Sequence, residues 1–196
     1  MKPGRIITIV VAVLLAFILF RGCSGYNGLV KQDEVVKNAW NNVQTEYQNR
    51  ADLVPNLVNT VKGAANFEQE TLTKVIEARS KATSIQLKAE DLTPENLAKF
   101  EQAQSELSGA LSRLLVTVEK YPDLKAVAGF QQLQGQLEQI ENNIKNSRKT
   151  FNEAINGYNV MVRSFPMNLF AGMFGFKAKE GFKAAEGTDK APEVKF

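Results

Sequence analysis

Apolar residues in this chain recur every three or four positions, the spacing of one face of an α-helix. Pro55 interrupts the first series, and Asp52 is placed to cap a turn before it, because proline is well tolerated in the first turn of a helix. We therefore predict a break near Ala51 and a new helix from Leu53. The series comprises Val36, Trp40, Val43, Tyr47, Arg50, Val54, Leu57 and Val61.

Three later series have the same spacing and predict three more long helices. Glu68 precedes the first of them, Thr93 and Pro94 begin the second, and Pro122 ends it. Asp123 is expected to cap a short turn before the last helix. The three series comprise Phe67, Leu72, Val75, Ile76, Arg79 and Ala82; Leu97, Phe100, Gln104, Leu107, Leu111, Leu114 and Val118; and Leu133, Leu137, Ile140, Ile144, Ser147, Phe151, Ile155, Tyr158, Val162 and Phe165.

Sustained spacing of this kind favours long helices that cross at small angles, as in coiled coils and up-and-down bundles. Isolated strands are nowhere favoured. The predicted fold class is all-α: an antiparallel up-and-down helical bundle of about four long helices, preceded by one N-terminal transmembrane helix.

Several polar residues interrupt the apolar series or lie beside the last one. They are Arg50, Arg79, Gln104 and Ser147, and then Asn152, Asn156 and Asn159. One interpretation is a polar pocket or partner groove inside the bundle. The other is a set of interhelical hydrogen bonds that fix the register of the helices, because buried polar groups need partners.

The N-terminal segment, residues 6–20, is uncharged, with Thr8 as its one polar residue and with Lys2 and Arg5 before it and Arg21 after it. As a helix it spans about 22 Å, less than a hydrocarbon core of roughly 30 Å unless the flanking arginines reach toward the lipid surfaces. We interpret it as an uncleaved, single-pass anchor in the lipid bilayer of the cell membrane.

Three other interpretations of the N-terminus remain open. A cleaved signal peptide fits the basic start, although no small-x-small pair precedes Gly22. Lipidation of Cys23 is a second, although Phe20 and Arg21 stand where lipoprotein signals carry Leu and a small residue. A buried core helix is a third. Slightly more positive charge before the segment than after it favours a body on the outward-facing side of the membrane.

Residues 165–176 form a dense aromatic segment that reads FPMNLFAGMFGF. So much apolar surface has to be buried somewhere. One interpretation is a short helix that closes one end of the bundle. The other is a segment that lies in the membrane interface or binds a partner, because Met and Phe suit adaptable binding surfaces. The candidate site residues are Met167, Leu169, Phe170, Met173, Phe174 and Phe176.

The chain divides, on these patterns, into an N-terminal transmembrane anchor at residues 1–25, a helical bundle at residues 26–182 and a polar tail at residues 183–196. The tail is rich in Lys, Glu, Ala and Gly, and we expect it to be disordered.

Composition excludes most enzyme classes. The chain has no His and a single Cys, so that imidazole bases, His-bearing metal sites and internal disulfides are all ruled out. Carboxylate pairs such as Glu138 and Glu141, or Glu68 and Glu70, fit a solvated helix face, because a di-metal bundle site normally needs Glu-x-x-His. We expect no catalytic activity, no cofactor and no metal.

The formal net charge of +3 is located in the anchor. Without Lys2, Arg5 and Arg21, the 24 basic residues fall to 21, which equals the 21 acidic ones. The body therefore lacks the basic face of a nucleic-acid-binding protein.

Several long motifs in this chain make it similar to the bacterial LemA family. They are RADLVPNLVNTVKG (50–63), EARSKA (77–82), YPDLKA (121–126), FQQLQGQLEQIENNI (130–144), FNEAINGYN (151–159) and FPMNLFAGMFGF (165–176). The resemblance covers nearly all of residues 26–182. The chain departs from the family pattern at Asn143 and Phe151, where Arg and Tyr are expected, and at Ala64 and Ala65, where a pair with an aromatic residue is expected.

The resemblance implies a membrane-anchored helical bundle with no established catalytic activity and no accepted set of functional residues. It also implies a cytoplasmic body, opposite to the side that the flanking charges favour. We expect a scaffold or adaptor that interacts with an envelope membrane protein or with the membrane surface. The alternative is a binding protein for a small or lipid-like ligand within the bundle.

Overall fold

The computed structural model describes residues 3–63 and 68–183, and every regular element in those ranges is helical. The four long helices are α1 (Pro3–Lys62), α2 (Gln69–Ser84), α3 (Pro94–Val118) and α5 (Ala128–Arg163). A 3₁₀ helix (Ala89–Asp91), α4 (Pro122–Lys125) and α6 (Met167–Met173) are short. The all-α class with about four long helices is therefore confirmed.

The long helices pack in antiparallel pairs. In the pair of α1 and α5, Arg50 binds Glu141 at one level, and the Gln32 side chain lies against Gly157 at the other. In the pair of α2 and α3, Lys81 lies 3.3 Å from Glu106, and Lys120 near the end of α3 lies 3.9 Å from Glu68 at the start of α2. These pairings are those of an up-and-down bundle.

Two clusters of buried apolar side chains form the core, one above the other along α1. The lower cluster is built around Leu29, Trp40, Phe100, Phe151 and Tyr158. The upper cluster is built around Leu57, Leu72, Leu107, Leu114 and Phe130. Arg50 lies between the two, so that a charged residue marks the boundary of the two apolar layers.

Most of the predicted core positions are confirmed. Every residue of the series in α1 and α3 is buried, including Arg50 and Gln104. Two predictions are wrong. Ile76 is 45% exposed, because α2 buries Ala78 instead. Phe165 is 83% exposed, because α5 has already ended at Arg163. Phe67 lies outside the described residues.

The predicted helix break near Ala51 is wrong, and Arg79 supplies the reason. Pro55 lies inside α1, and because proline has no N–H, the carbonyl of Ala51 one turn earlier loses its helical partner. The Arg79 Nε of α2 donates to that carbonyl oxygen at 2.7 Å. Asp52 caps nothing here, since its carboxylate accepts from Gln48 within the same helix.

The predicted start of α3 is confirmed, whereas that of α4 is not. Thr93 is the N-cap of α3, its hydroxyl accepts from the backbone N–H of Asn96 at 3.2 Å, and Pro94 is the first helical residue. Asp123 lies inside the first turn of α4 instead of capping it.

The apolar segment of residues 6–20 belongs to α1, which runs from Pro3 into the bundle without a break. Four apolar side chains of this segment, Ile9, Val10, Val11 and Val13, are between 48% and 63% exposed. In residues 3–63 and 68–183, no helix meets both the length and the hydropathy that a membrane crossing requires. The transmembrane anchor therefore stays a prediction, and the predicted tail lies outside the described residues from 184 onward.

Candidate functional site

The short helix α6 packs against α1 just beyond the apolar segment. Gly22 and Gly25 on α1 face it: a Cβ at Gly22 would lie 3.2 Å from the ring of Phe170, and a Cβ at Gly25 would lie 2.0 Å from the Met167 methyl carbon. Both positions are therefore too close to α6 for a larger residue unless the facing side chain moves. The absence of side chains at these two glycines therefore lets α6 pack against α1 at the end of the bundle next to the apolar segment, which we call the base of the bundle.

Tyr26 of α1 continues this contact to the residues after α6. Its ring packs edge-on against Phe174 at 5.0 Å and against Phe176 at 5.9 Å between ring centroids. Aromatic pairs with this geometry stabilise a fold modestly, beyond the contribution of the surface area that they bury.

The other side of this segment faces outward. Phe165 is 83% exposed, Leu169 60%, Met173 78% and Phe174 49%; we call these four residues the apolar collar. Of the six candidate site residues, Met167, Phe170 and Phe176 are half-buried, while Leu169, Met173 and Phe174 are exposed. The segment thus both closes the base of the bundle and presents apolar side chains beside the apolar part of α1.

Arg50 is the most deeply buried charge in the described residues, with 2% of its surface exposed. Its guanidinium donates to the Ser108 hydroxyl at 2.8 Å, to the Glu141 carboxylate at 2.9 Å, and to the side-chain and backbone oxygens of Gln104 at 2.6 and 3.1 Å. It therefore joins α1 to both α3 and α5. Its Nε is a buried side-chain atom without a partner among the described residues.

The prediction of interhelical hydrogen bonds is confirmed for Arg50, Arg79 and Gln104. Gln104 accepts from Arg50 and donates to the carbonyl of Ala82 on α2 at 3.4 Å. Ser147 differs, because its hydroxyl donates to the carbonyl of Ile144 in its own helix. A cavity of about 340 Å³ lies beside Gln104, lined by amide and hydroxyl side chains, most of them on α1, and by the apolar side chains of Ile85 and Phe100.

Two asparagines on α5 bind the backbone of the chain beyond α6. Asn159 donates to the carbonyl of Lys179 and accepts from its N–H, both at 2.8 Å. Asn152 donates to the carbonyl of Phe182 and accepts from its N–H, both at 2.9 Å. Each side-chain amide therefore binds both polar groups of one residue, and residues 177–183, which we call the C-terminal strap, run antiparallel to α5.

The strap also inserts one aromatic side chain into the lower core. Phe182 is 7% exposed and lies 6.0 Å from the Trp40 ring and 5.5 Å from the Phe151 ring, while the Arg148 guanidinium stacks on it at 4.2 Å. The sequence identified Asn152 and Asn159 as unusual but missed their partner. The strap has no periodicity, and a lone Phe in a polar stretch predicts no burial.

The third strap contact is an ion pair between Lys179 and Asp33 of α1, 2.7 Å apart. The Lys179 ammonium also lies 5.2 Å from the centre of the Tyr158 ring. Burial by itself raises the pKa of the Asp33 carboxyl, but hydrogen bonds and charges from Lys179, and then from Lys37, outweigh it. The net pKa of Asp33 is lower than its ordinary value of 3.8.

Three of the four carboxylates in the predicted pairs lie beside cations in this structure. Glu141 is bound to Arg50, Glu68 lies near Lys120, and Glu70 binds Lys74 one turn further along α2. Glu138 lines an open groove between α3 and α5 beside Glu141. Within residues 3–63 and 68–183, no three His, Cys, Asp or Glu side chains come together in a way that could hold a metal ion.

Comparison with known proteins gives a match to the LemA family over residues 39–196. The chain belongs to the LemA family. Among curated relatives, Protein LemA of Metamycoplasma hominis is 25% identical over 160 residues, which cover 82% of this chain and 69% of that protein.

This LemA family chain is also similar to magnetosome proteins. Magnetosome protein MamQ 2 of Paramagnetospirillum magneticum is 31% identical over 87 residues, 44% of this chain. Magnetosome protein MamQ of Magnetospirillum gryphiswaldense is 31% identical over 80 residues. The matches span about a third of the length of these MamQ proteins, 32% and 29% respectively.

Proposed function

We propose that this chain is a membrane-anchored scaffold without catalytic activity, which binds an envelope membrane protein at the membrane surface. The observation that carries the proposal is the position of α6. α6 packs against α1 at Gly22 and Gly25, two and five residues after the apolar segment ends at Phe20, and the apolar collar belongs to α6 and the residues that flank it.

The collar also compensates for the length of the predicted anchor, which is shorter than the hydrocarbon core of a bilayer. Fifteen residues of helix span only about 22 Å, but the exposed side chains of the collar add apolar surface where α6 packs against α1, beyond the end of that segment. Contiguous apolar surface of this kind is typical of sites that contact lipid or another protein. Met and Phe side chains at the collar suit the irregular boundary between lipid headgroups and acyl chains.

The anchor is tested by extraction from membranes. Alkaline carbonate removes peripheral proteins and leaves spanning ones, so we expect the full chain in the membrane pellet and a chain without residues 1–20 in the supernatant. Release of the full chain by carbonate would contradict the anchor.

The position of the collar is tested with an environment-sensitive fluorophore in nanodiscs of phosphatidylethanolamine and phosphatidylglycerol. The label is attached at Met173→Cys in a Cys23→Ser background, and Val116→Cys serves as the matched control because Val116 is a comparably exposed apolar residue on α3. We expect lipid-borne quenchers to act on the label at 173 and to leave the label at 116 unaffected. Equal quenching at both sites would contradict the proposal.

The protein partner is tested by photo-crosslinking in cells. A photo-reactive residue at position 174, where Phe174 is half exposed, should capture a membrane protein reproducibly, while one at position 116 should not. Phe170 is less suitable, because its ring packs against Gly22. If both positions give the same products, the collar is not the binding surface.

A small polar ligand within the bundle is a second candidate function, favoured by the cavity of about 340 Å³ beside Gln104. Its amide and hydroxyl lining suits a polar molecule better than an acyl chain. Native mass spectrometry of the purified chain should then show a bound mass that is lost in Gln104→Leu. An identical spectrum for the two chains would exclude this candidate.

A further inference from the structure

We propose that the groove on α1 and α5 that holds the C-terminal strap is a docking site for an extended segment of a partner protein. The segment carries Lys-x-Gly-Phe, and the strap occupies the groove until such a segment displaces it. This inference rests on the proposed function, because it names the kind of partner that the scaffold binds.

The two asparagines are spaced to hold an extended chain. Asn152 and Asn159 are seven residues apart, about 10.5 Å along a helix, and the residues that they bind are three apart, about 10 Å along an extended chain. A side-chain amide offers one donor and one acceptor, which match the N–H and C=O of a single residue. These contacts recognise backbone, so they select for extended conformation and leave the sequence open.

Side-chain selectivity comes from three positions of the strap. Phe182 fills the aromatic site beside Trp40, and Lys179 pairs with Asp33. Gly181 has to be small, because a Cβ there would lie 2.4 Å from the Asn152 side-chain oxygen that accepts the Phe182 N–H. The groove therefore selects a basic residue followed two and three positions later by glycine and an aromatic residue.

The strap is attached to the bundle at few points. Of its seven residues, Phe182 alone is fully buried, and Lys177, Ala178, Glu180 and Lys183 are exposed. Gly175, with φ of 78°, turns the chain out of α6 just before the strap. The strap can therefore leave the groove while the helices keep their own contacts, which is the behaviour of a locally opening segment.

Tethering makes the strap a strong competitor. A short linker gives an intramolecular segment an effective concentration in the millimolar range, so that a separate peptide competes poorly unless its protein is held nearby. Two proteins confined to one membrane meet this condition. We therefore expect weak binding of a peptide to the unchanged chain and stronger binding when the strap is disabled.

The test uses the full chain in nanodiscs and its single tryptophan, Trp40, whose ring lies 6.0 Å from that of Phe182. Phe182→Ala vacates the aromatic site, and circular dichroism checks that the helices are retained. The probe is a synthetic peptide, AKEGFK, with the sequence of residues 178–183. We expect the substitution to shift the Trp40 emission and the peptide to reverse the shift saturably.

Two control peptides test the assigned contacts. Versions of AKEGFK with leucine in place of glycine, or with alanine in place of phenylalanine, should bind at least about tenfold more weakly. Anisotropy of a labelled AKEGFK peptide measures binding to the unchanged chain. We expect the unchanged chain to bind this peptide about tenfold more weakly than Phe182→Ala does, and to rank the three peptides in the same order.

Absence of peptide binding to Phe182→Ala with retained helices would overturn the proposal, and so would equal binding of the three peptides. A concentration-dependent dimer of the unchanged chain that AKEGFK dissociates would overturn the assignment of a partner protein, because the occupant of the groove would then be a second copy of this chain. Membrane anchoring is measured separately by carbonate extraction, so that failure here is distinguishable from failure of the scaffold proposal.

Discussion

At the scale of single residues, the contact between Arg79 and Ala51 allows α1 to pass through Pro55 as one helix. Proline in a helix interior removes a hydrogen bond and leaves a carbonyl unpaired, a cost of about 3 kcal/mol or more. The Arg79 Nε, 2.7 Å from the Ala51 oxygen, replaces the missing donor. A side chain of α2 therefore stabilises the backbone of α1.

This contact predicts an interaction between two substitutions. Arg79→Met should lower the free energy of unfolding by about 1–3 kcal/mol, because it leaves the Ala51 carbonyl without its donor. The same change in a Pro55→Ala background should cost clearly less, because residue 55 then supplies an N–H. Denaturant unfolding of the four chains measures this. Equal costs in the two backgrounds would show that Arg79 stabilises the bundle in another way.

Arg50 predicts a second effect, this time of side-chain shape. Arg50→Lys should lower the free energy of unfolding by about 1–3 kcal/mol, because one ammonium cannot reach the partners on α3 and α5 that the planar guanidinium joins.

Glu141→Gln is the matched control for Arg50, because it keeps an acceptor for the guanidinium. Glu141 is 41% exposed, so the change should cost less than about 1 kcal/mol. Thermal or denaturant unfolding ranks the two variants. The reverse order would mean that the charge of Glu141, and not the fork of Arg50, holds the helices in register.

Residue patterns predicted these core positions but not their partners. Periodicity is a property of one helix, so it placed Arg50 and Gln104 on buried faces correctly. The donor that compensates for Pro55 comes from another helix, 24 positions further along the chain, and local rules for proline therefore predicted a break that does not occur. The partners of Asn152 and Asn159 were missed for the same reason.

At the scale of elements, the C-terminal strap is the segment whose attachment depends most directly on charge. Its ion pair joins Lys179 to Asp33, and Lys37 also lies 3.3 Å from the Asp33 carboxylate. Glu34 on α1 binds Lys37, and the Tyr158 ring lies beneath Lys179. Protonation of the Asp33 carboxylate would remove the negative charge that binds Lys179.

The lowered pKa of Asp33 predicts how the strap responds to acid. A carboxyl whose pKa is lower in the folded protein contributes stability that is fully present above its unfolded pKa, near 3.8, and is lost as the pH falls through the folded value. The strap should therefore stay attached from neutral pH to about pH 5 and loosen below about pH 4. Trp40 fluorescence, which reports on Phe182, measures this.

Asp33→Asn is the control for the acid response. It keeps the size of the side chain and removes the charge, so its Trp40 emission should already be partly shifted at neutral pH and should change less between pH 5 and pH 3. Titration curves that coincide for Asp33→Asn and the unchanged chain would assign the response to other carboxylates.

At the scale of the whole molecule, α1 is one continuous helix whose N-terminal part and bundle part contribute differently to the core. Among the residues of α1 whose burial the structure describes, the first buried ones are Gly22, Gly25 and Leu29, while residues 9–13 are exposed. Burial of apolar surface is the main source of stability, about 25 cal/mol for each Å². The described side chains of residues 9–13 therefore add little to the stability of the bundle.

A shortened chain tests this division. Removal of residues 1–20 should leave the thermal midpoint of the bundle within a few degrees of that of the full chain in detergent, because both core clusters and the contacts of α6 with Gly22 and Gly25 are retained. Gly25→Leu in the shortened chain is the comparison, and we expect it to lower the thermal midpoint, since its side chain meets Met167. Circular dichroism during heating measures both. A large loss of stability on removing residues 1–20 would favour the interpretation of that segment as a core helix, because only buried apolar surface could account for it.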